Sequence, residues 1–112
     1  MTVDVYQQYF AGECVYNGVP RKGVSVKLTS DSEAGEIAYT VSVSFFPHTD
    51  DEDFAVSYDA YAEKEIYRAA GRRSKKREAA FLTDLKERAD ALAQALGGTI
   101  DWDAPLTAAR LG

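Results

Sequence analysis

Residues 37–45 alternate without a break, with Ile37, Tyr39, Val41, Val43 and Phe45 on one side and Ala38, Thr40, Ser42 and Ser44 on the other. A period of two held over this length specifies a strand with one apolar face and one small polar face. Just upstream, Val24, Val26 and Leu28 alternate with Ser25, Lys27 and Thr29, and the polar stretch Asp31, Ser32, Glu33, Ala34, Gly35 reads as the turn between the two strands. An antiparallel pair of this kind must bury its shared apolar face, while the polar one meets water or a partner. Pro47, which has no N–H to offer a ladder, ends the second strand.

The cover for that face is written later in the chain. Leu82, Leu85, Ala89, Leu92 and Leu96 recur at intervals of three and four, and Phe81 widens the stripe, which is the period of one buried helical face. The spacing predicts a helix over 74–96. Gly97 and Gly98 close it, since a left-handed C-terminal cap is a natural use of glycine.

The rest is less regular. In residues 1–23, Val3, Val5 and Phe10, with Tyr6 and Tyr9, fit a strand or a short helix, of which a strand or arm is the expectation, and Cys14, Val15 and Tyr16 read as the end of a short strand entering a tight turn at Asn17 and Gly18. Phe54, Val56 and Tyr58 alternate with Ala55, Ser57 and Asp59, as a short strand would. From 60 to 70 the pattern reads as a second, shorter helix, with Ala62, Ile66, Ala69 and Ala70 on one side and Glu63, Lys64 and Arg68 away from it. Gly71 either separates it from the long helix or lets the chain kink before that helix, because glycine in a helix interior costs roughly 1 kcal/mol. Residues 99–102 read as a further short strand that Pro105 breaks, ahead of a fraying end. Together these segments predict a single α+β domain: an N-terminal strand or arm over 1–23, an antiparallel sheet over 24–59, a helical region over 60–97 and a tail over 98–112. The sheet has three to five strands, packed on one face by the long helix and the shorter one before it.

A chain of 112 residues with 46% hydrophobic and 12% aromatic content has matter for one core. No apolar run approaches the roughly 18–20 residues of a membrane helix, and the N-terminus has no signal-peptide pattern, so a cytoplasmic protein with no membrane partner is expected. One cysteine, Cys14, allows no internal disulfide, and one histidine, His48, leaves a metal site improbable on ligand supply. His48 stands beside four acids that favour its protonated form, and Cys14 has no activating neighbour in sequence. No nucleophile elbow or phosphate-binding glycine loop occurs. The expectation is a protein without cofactor, metal or catalytic residues.

The charge pattern is the best functional clue. Arg72, Arg73, Lys75, Lys76 and Arg77 crowd the end of the helix where the macrodipole favours anions. They are five of the 13 basic residues, so the remaining eight face 18 acidic ones, and the formal charge of −5 conceals a strongly acidic body. Asp50, Asp51, Glu52 and Asp53 form a solvated acidic run. It lacks the spaced acids and glycine of a calcium loop, but it can present negative charge to a cationic cleft. Seven tyrosines exceed what a core of this size needs, and tyrosine is enriched where proteins grip one another. The leucine stripe also admits a homodimer seam, though two heptads are short for one.

In being small, acidic, tyrosine-rich and without catalytic apparatus, the chain is similar in type to the accessory proteins of phages and mobile elements, of which anti-CRISPR inhibitors are the best-known kind. That similarity implies a non-enzymatic protein that docks on a nucleic-acid-handling partner, through residues 50–53, residues 72–77, or both. Direct nucleic-acid binding by the basic segment is the alternative, and a small enzyme of unknown class a further one.

Overall fold

The computed structural model describes residues 1–11, 15–16, 19–47 and 60–105. The elements are β1 (Thr2–Ala11), the two-residue β2 (Val15–Tyr16), β3 (Val19–Glu33), β4 (Glu36–Pro47), β5 (Ala60–Ala70) and α1 (Lys75–Ala95). The four long strands form an antiparallel sheet in the order β1-β3-β4-β5, and β2 pairs with β3. The architecture is α+β, with one helix among the described residues.

The alternation of β3 and β4 becomes the core. Val24, Val26 and Leu28 lie opposite Phe45, Val43 and Val41, and all of them, with Ile37 and Tyr39, are buried. Leu85, Ala89 and Ala93 of α1 join the same cluster, together with Phe10 of β1 and Ile100. Alanine at 89 and 93 lets the helix backbone approach the sheet closely. The polar stretch 31–33 continues β3 rather than turning, because its backbone pairs with Ile37 and Ala38 and the strand ends only at Glu33. The turn is the two residues Ala34 (φ 54°) and Gly35 (φ 80°), a pair of positive φ values that matches the right-handed twist of a hairpin.

Residues 60–70, expected as a second helix, are the edge strand β5. Tyr67 pairs with Tyr39 and Glu65 with Thr40, so Ile66 is an extra residue, a β-bulge. The bulge shifts the alternation halfway along the strand. Ala62 and Lys64 share a face with Val43 and Val41 before it, Tyr67 and Ala69 with Tyr39 and Ile37 after it. No single period of two survives, and the interrupted pattern mimics a helical one.

Leu82, expected in the buried stripe, is 39% exposed. The helix lies against β4 and β5, and Leu82 falls on its flank. Its ends follow expectation: Ser74 caps the start, and Gly97 (φ 82°) ends it as Gly97 N–H donates to Gln94 and Gly98 N–H to Ala93, the paired bonds of a Schellman motif. Residues 99–102 form no strand. The chain instead returns along β1, where Ala11 N–H donates to Ala104 at 2.8 Å and Trp102 sets its ring edge on Phe10 at 4.8 Å. Trp102 Nε1–H donates to Asp90 of α1 at 2.7 Å, tying tail, helix and first strand together. Among the described residues no helix is long and apolar enough to cross a membrane.

Candidate functional site

The basic segment occupies the junction between β5 and α1. Gly71 (φ 123°) turns the chain off the sheet, and its N–H donates to Gly35 at 2.9 Å, which pins the junction to the β3–β4 turn. Ser74, in extended conformation (φ −136°, ψ 119°), is the N-cap, and its Oγ accepts from Arg77 N–H at 3.3 Å. Four residues, 71–74, span the distance from sheet to helix, which places the backbone of Arg72 and Arg73 between the β3–β4 turn and the helix cap.

Glu78 decides what the junction is made of. It is the only acid in the first turn of α1, and it is only 7% exposed. Tyr39, fully buried in the middle of the sheet, donates its hydroxyl to Glu78 Oε2 at 2.8 Å. Arg73 grips the same carboxylate with a two-pronged fork, Nε to Oε2 at 2.9 Å and Nη2 to Oε1 at 3.0 Å. A buried carboxylate with two such partners is stabilised as the anion. The Arg73 guanidinium holds Glu78 below the ordinary carboxyl range against the opposing effect of burial, and the Tyr39 hydroxyl adds to the lowering. Burial first, then the bond to Glu78, raises the Tyr39 hydroxyl, and Glu78 in turn raises Arg73.

Arg77 is committed as well. Its guanidinium stands over the Tyr67 ring, 4.5 Å from the centroid. Tyr67 packs on Phe81 at 5.7 Å, and Phe81 meets Tyr39 edge-on at 5.0 Å, so an aromatic cluster underlies the first turns of the helix. Arg73 and Arg77 therefore belong to the fold.

Arg72, Lys75 and Lys76 do not. All three are exposed, and none makes an ion pair within 4 Å among the described residues. Lys75 and Lys76 are the first residues of the helix, where each cation opposes the macrodipole by about 0.3–1 kcal/mol at low ionic strength. The predicted five-cation cluster thus divides into two residues that build the junction and three that project from it.

The other predicted site residues, Asp50, Asp51, Glu52 and Asp53, lie outside the described residues, as do His48, Cys14 and the strand expected over 54–59. Among the described residues no group of three or more His, Cys, Asp or Glu side chains is placed to hold a metal ion. The contact that sequence reasoning missed is Tyr39 with Glu78. A signal for it was present: Glu78 continues the helical stripe one turn before Phe81 and two before Leu85, and an acid on an apolar face beside arginines implies a buried partner. Comparisons with protein-family models, curated proteins and solved structures found no match to this chain.

Proposed function

We propose that this chain is a non-enzymatic protein-binding module that docks on a nucleic-acid-handling protein and modulates it, in the manner of the small accessory proteins of phages and mobile elements, including anti-CRISPR inhibitors. The observation that carries the reading is the division of the basic segment. Arg72 is exposed on the short junction that Gly71 pins to the β3–β4 turn, and Lys75 and Lys76 are exposed on the first helical turn, where they weaken the helix. Exposed cations without an ion-pair partner among the described residues, standing where they weaken the helix, are suited to meeting carboxylates on another surface.

Charge counting favours a protein partner over nucleic acid. Three outward cations release about three counterions on a phosphate backbone, a salt slope of about −2.7, while the acid-rich body repels the same backbone. That body complements the cationic cleft of a nucleic-acid-handling protein, and the three cations complement acids at its rim. Asp50, Asp51, Glu52 and Asp53 add to the negative surface in this reading.

The test is affinity capture of the partner by wild type and by the variant Arg72→Glu/Lys75→Glu/Lys76→Glu, alongside binding to labelled DNA and RNA at about 50 mM salt. The reading expects the wild type to retain a nucleic-acid-handling protein that the variant loses, with no binding to bare DNA or RNA. Undiminished capture by the variant contradicts the role of the three cations. Salt-sensitive binding to bare nucleic acid that the variant lacks would establish the direct alternative instead.

A further inference from the structure

Arg73 joins the fold through one edge of its guanidinium only. The fork to Glu78 uses Nε–H at 2.9 Å and one N–H of Nη2 at 3.0 Å. A guanidinium is a planar frame of N–H donors, so its other edge, Nη1 with the second N–H of Nη2, has the same two-pronged geometry. That edge meets no acceptor among the described residues, and the Arg73 side chain is 44% exposed while the carboxylate it holds is 9% exposed.

The neighbouring cations lack this combination. Arg72, Lys75 and Lys76 are exposed, but no ion pair among the described residues sets their direction. Arg77 is half-buried and spends the face of its guanidinium on Tyr67. Arg73 is held by a buried carboxylate that the Tyr39 hydroxyl holds in turn, so its outer edge is set before anything binds. A side chain ordered in advance loses less freedom on contact, and arginine is among the residues enriched at interface hot spots.

The charge around that edge selects an anion. The β3–β4 turn and the junction, residues 33–36 and 71–78, hold five cations against three acids. Glu78 is taken by Arg73 and Glu36 by Arg68, which leaves Glu33 facing Arg72, Lys75, Lys76 and Arg77. Two oxygens against two N–H groups is the fit of a carboxylate, and the acid-rich body disfavours the phosphates of a nucleic acid. We propose that Arg73 anchors the docking surface, its free Nη1–Nη2 edge receiving a carboxylate of the partner protein. The inference rests on the docking reading above and adds the contact that sets orientation, which the three unheld cations do not supply.

The probe is an end-blocked hexaglutamate peptide, with hexathymidylate as its phosphate counterpart, titrated at about 50 mM salt into isotope-labelled protein while the arginine side-chain N–H resonances are followed. In the free protein the Nη1 and Nη2 signals of Arg73 should be resolved from one another, where rotation averages those of Arg72. Hexaglutamate should shift both Arg73 signals saturably and leave Nε–H, which stays on Glu78, little moved. Arg73→Lys keeps the charge without the second edge and should weaken hexaglutamate about three- to tenfold, against less than about twofold for Arg72→Lys. Hexathymidylate should bind more weakly than hexaglutamate; equal affinity with the same shifts would overturn the choice of a carboxylate. Arg72→Glu/Lys75→Glu/Lys76→Glu separates this proposal from the reading beneath it. Binding that the triple variant retains contradicts docking by the three cations. Binding that it loses, with Arg73→Lys no weaker than Arg72→Lys, overturns the anchor alone. The wild-type shifts need no variant, so Arg73 Nη signals unmoved at saturation, or no saturable binding, overturn the proposal even where Arg73→Lys does not fold.

Discussion

Replacing Tyr39 by Phe removes one oxygen from the centre of the junction and leaves the ring contacts with Tyr67 and Phe81 in place. The lost bond is a hydroxyl donating at 2.8 Å to an ionised carboxylate, with Tyr39 fully buried and Glu78 nearly so. Bonds to charged groups contribute about 1.5–3 kcal/mol. The fork from Arg73 remains, so Glu78 is not left without a partner, and the loss should fall near the lower end, about 1.5–2 kcal/mol. Unfolding entropy of about 2.1 cal/mol/K per residue over this chain gives roughly 0.24 kcal/mol/K, so the thermal midpoint should fall by about 6–9 °C.

Urea denaturation at neutral pH measures the difference directly, and a cycle with Glu78→Gln isolates its charge-dependent part. In the Glu78→Gln background the same Tyr39→Phe change should cost under about 1 kcal/mol, the range of a neutral bond. Acid gives an independent check. Glu78 is held below its ordinary value, so the folded state binds that proton more weakly than the unfolded chain does. Its contribution is complete above the unfolded carboxyl value of about 4.3 and is lost as pH falls through the depressed folded value. The gap between wild type and Tyr39→Phe should narrow over that acidic range. A Tyr39→Phe loss below about 0.5 kcal/mol, or one equally large in the Glu78→Gln background, would refute the reasoning.

Other consequences follow from the same contacts. Gly35→Ala should cost about 1–2 kcal/mol by urea denaturation, since φ is +80° and an added Cβ meets nothing within 4 Å, leaving backbone strain as the whole effect. Trp102→Phe removes the 2.7 Å bond to Asp90 and should raise hydrogen exchange at Ala11 and Ala104 before it raises exchange in β3 and β4. Ser74→Ala should lower stability by about 1 kcal/mol through the lost cap, with increased exchange confined to the first turn of α1.

How much of this was legible in the chain depends on how local each cause is. Residues 24–29 of β3 and 37–45 of β4 are uninterrupted alternations and could be read directly, whereas the polar end of β3 at 31–33 read as a turn because its pairing with β4 leaves no mark on the side-chain pattern. The long helix could be read from its leucine spacing, and its ends from Ser74 and the paired glycines. β5 could not, because one bulged residue at Ile66 moves the apolar side chains to the other parity halfway along. Leu82 matched the stripe by spacing but not by position, since the helix lies along β4 and β5 and period alone does not say which flank stays open. The basic segment was visible as a run, yet its division was not. Tyr39 is 39 residues from Glu78 in sequence, and only the pairing of β4 and β5 beneath the helix brings that hydroxyl to Glu78 and the Tyr67 ring to Arg77.

The division of the five cations is what the account rests on, and thermal unfolding at low salt tests it most directly. Arg72→Gln/Lys75→Gln/Lys76→Gln should melt at or above the wild-type temperature, because it removes unpaired charge from the unfavourable end of α1. Arg73→Gln/Arg77→Gln should melt below it, because Glu78 loses its fork and Tyr67 its guanidinium. The opposite order, or equal melting of the two variants, would contradict the claim that two of these residues build the fold and three are free to act outside it.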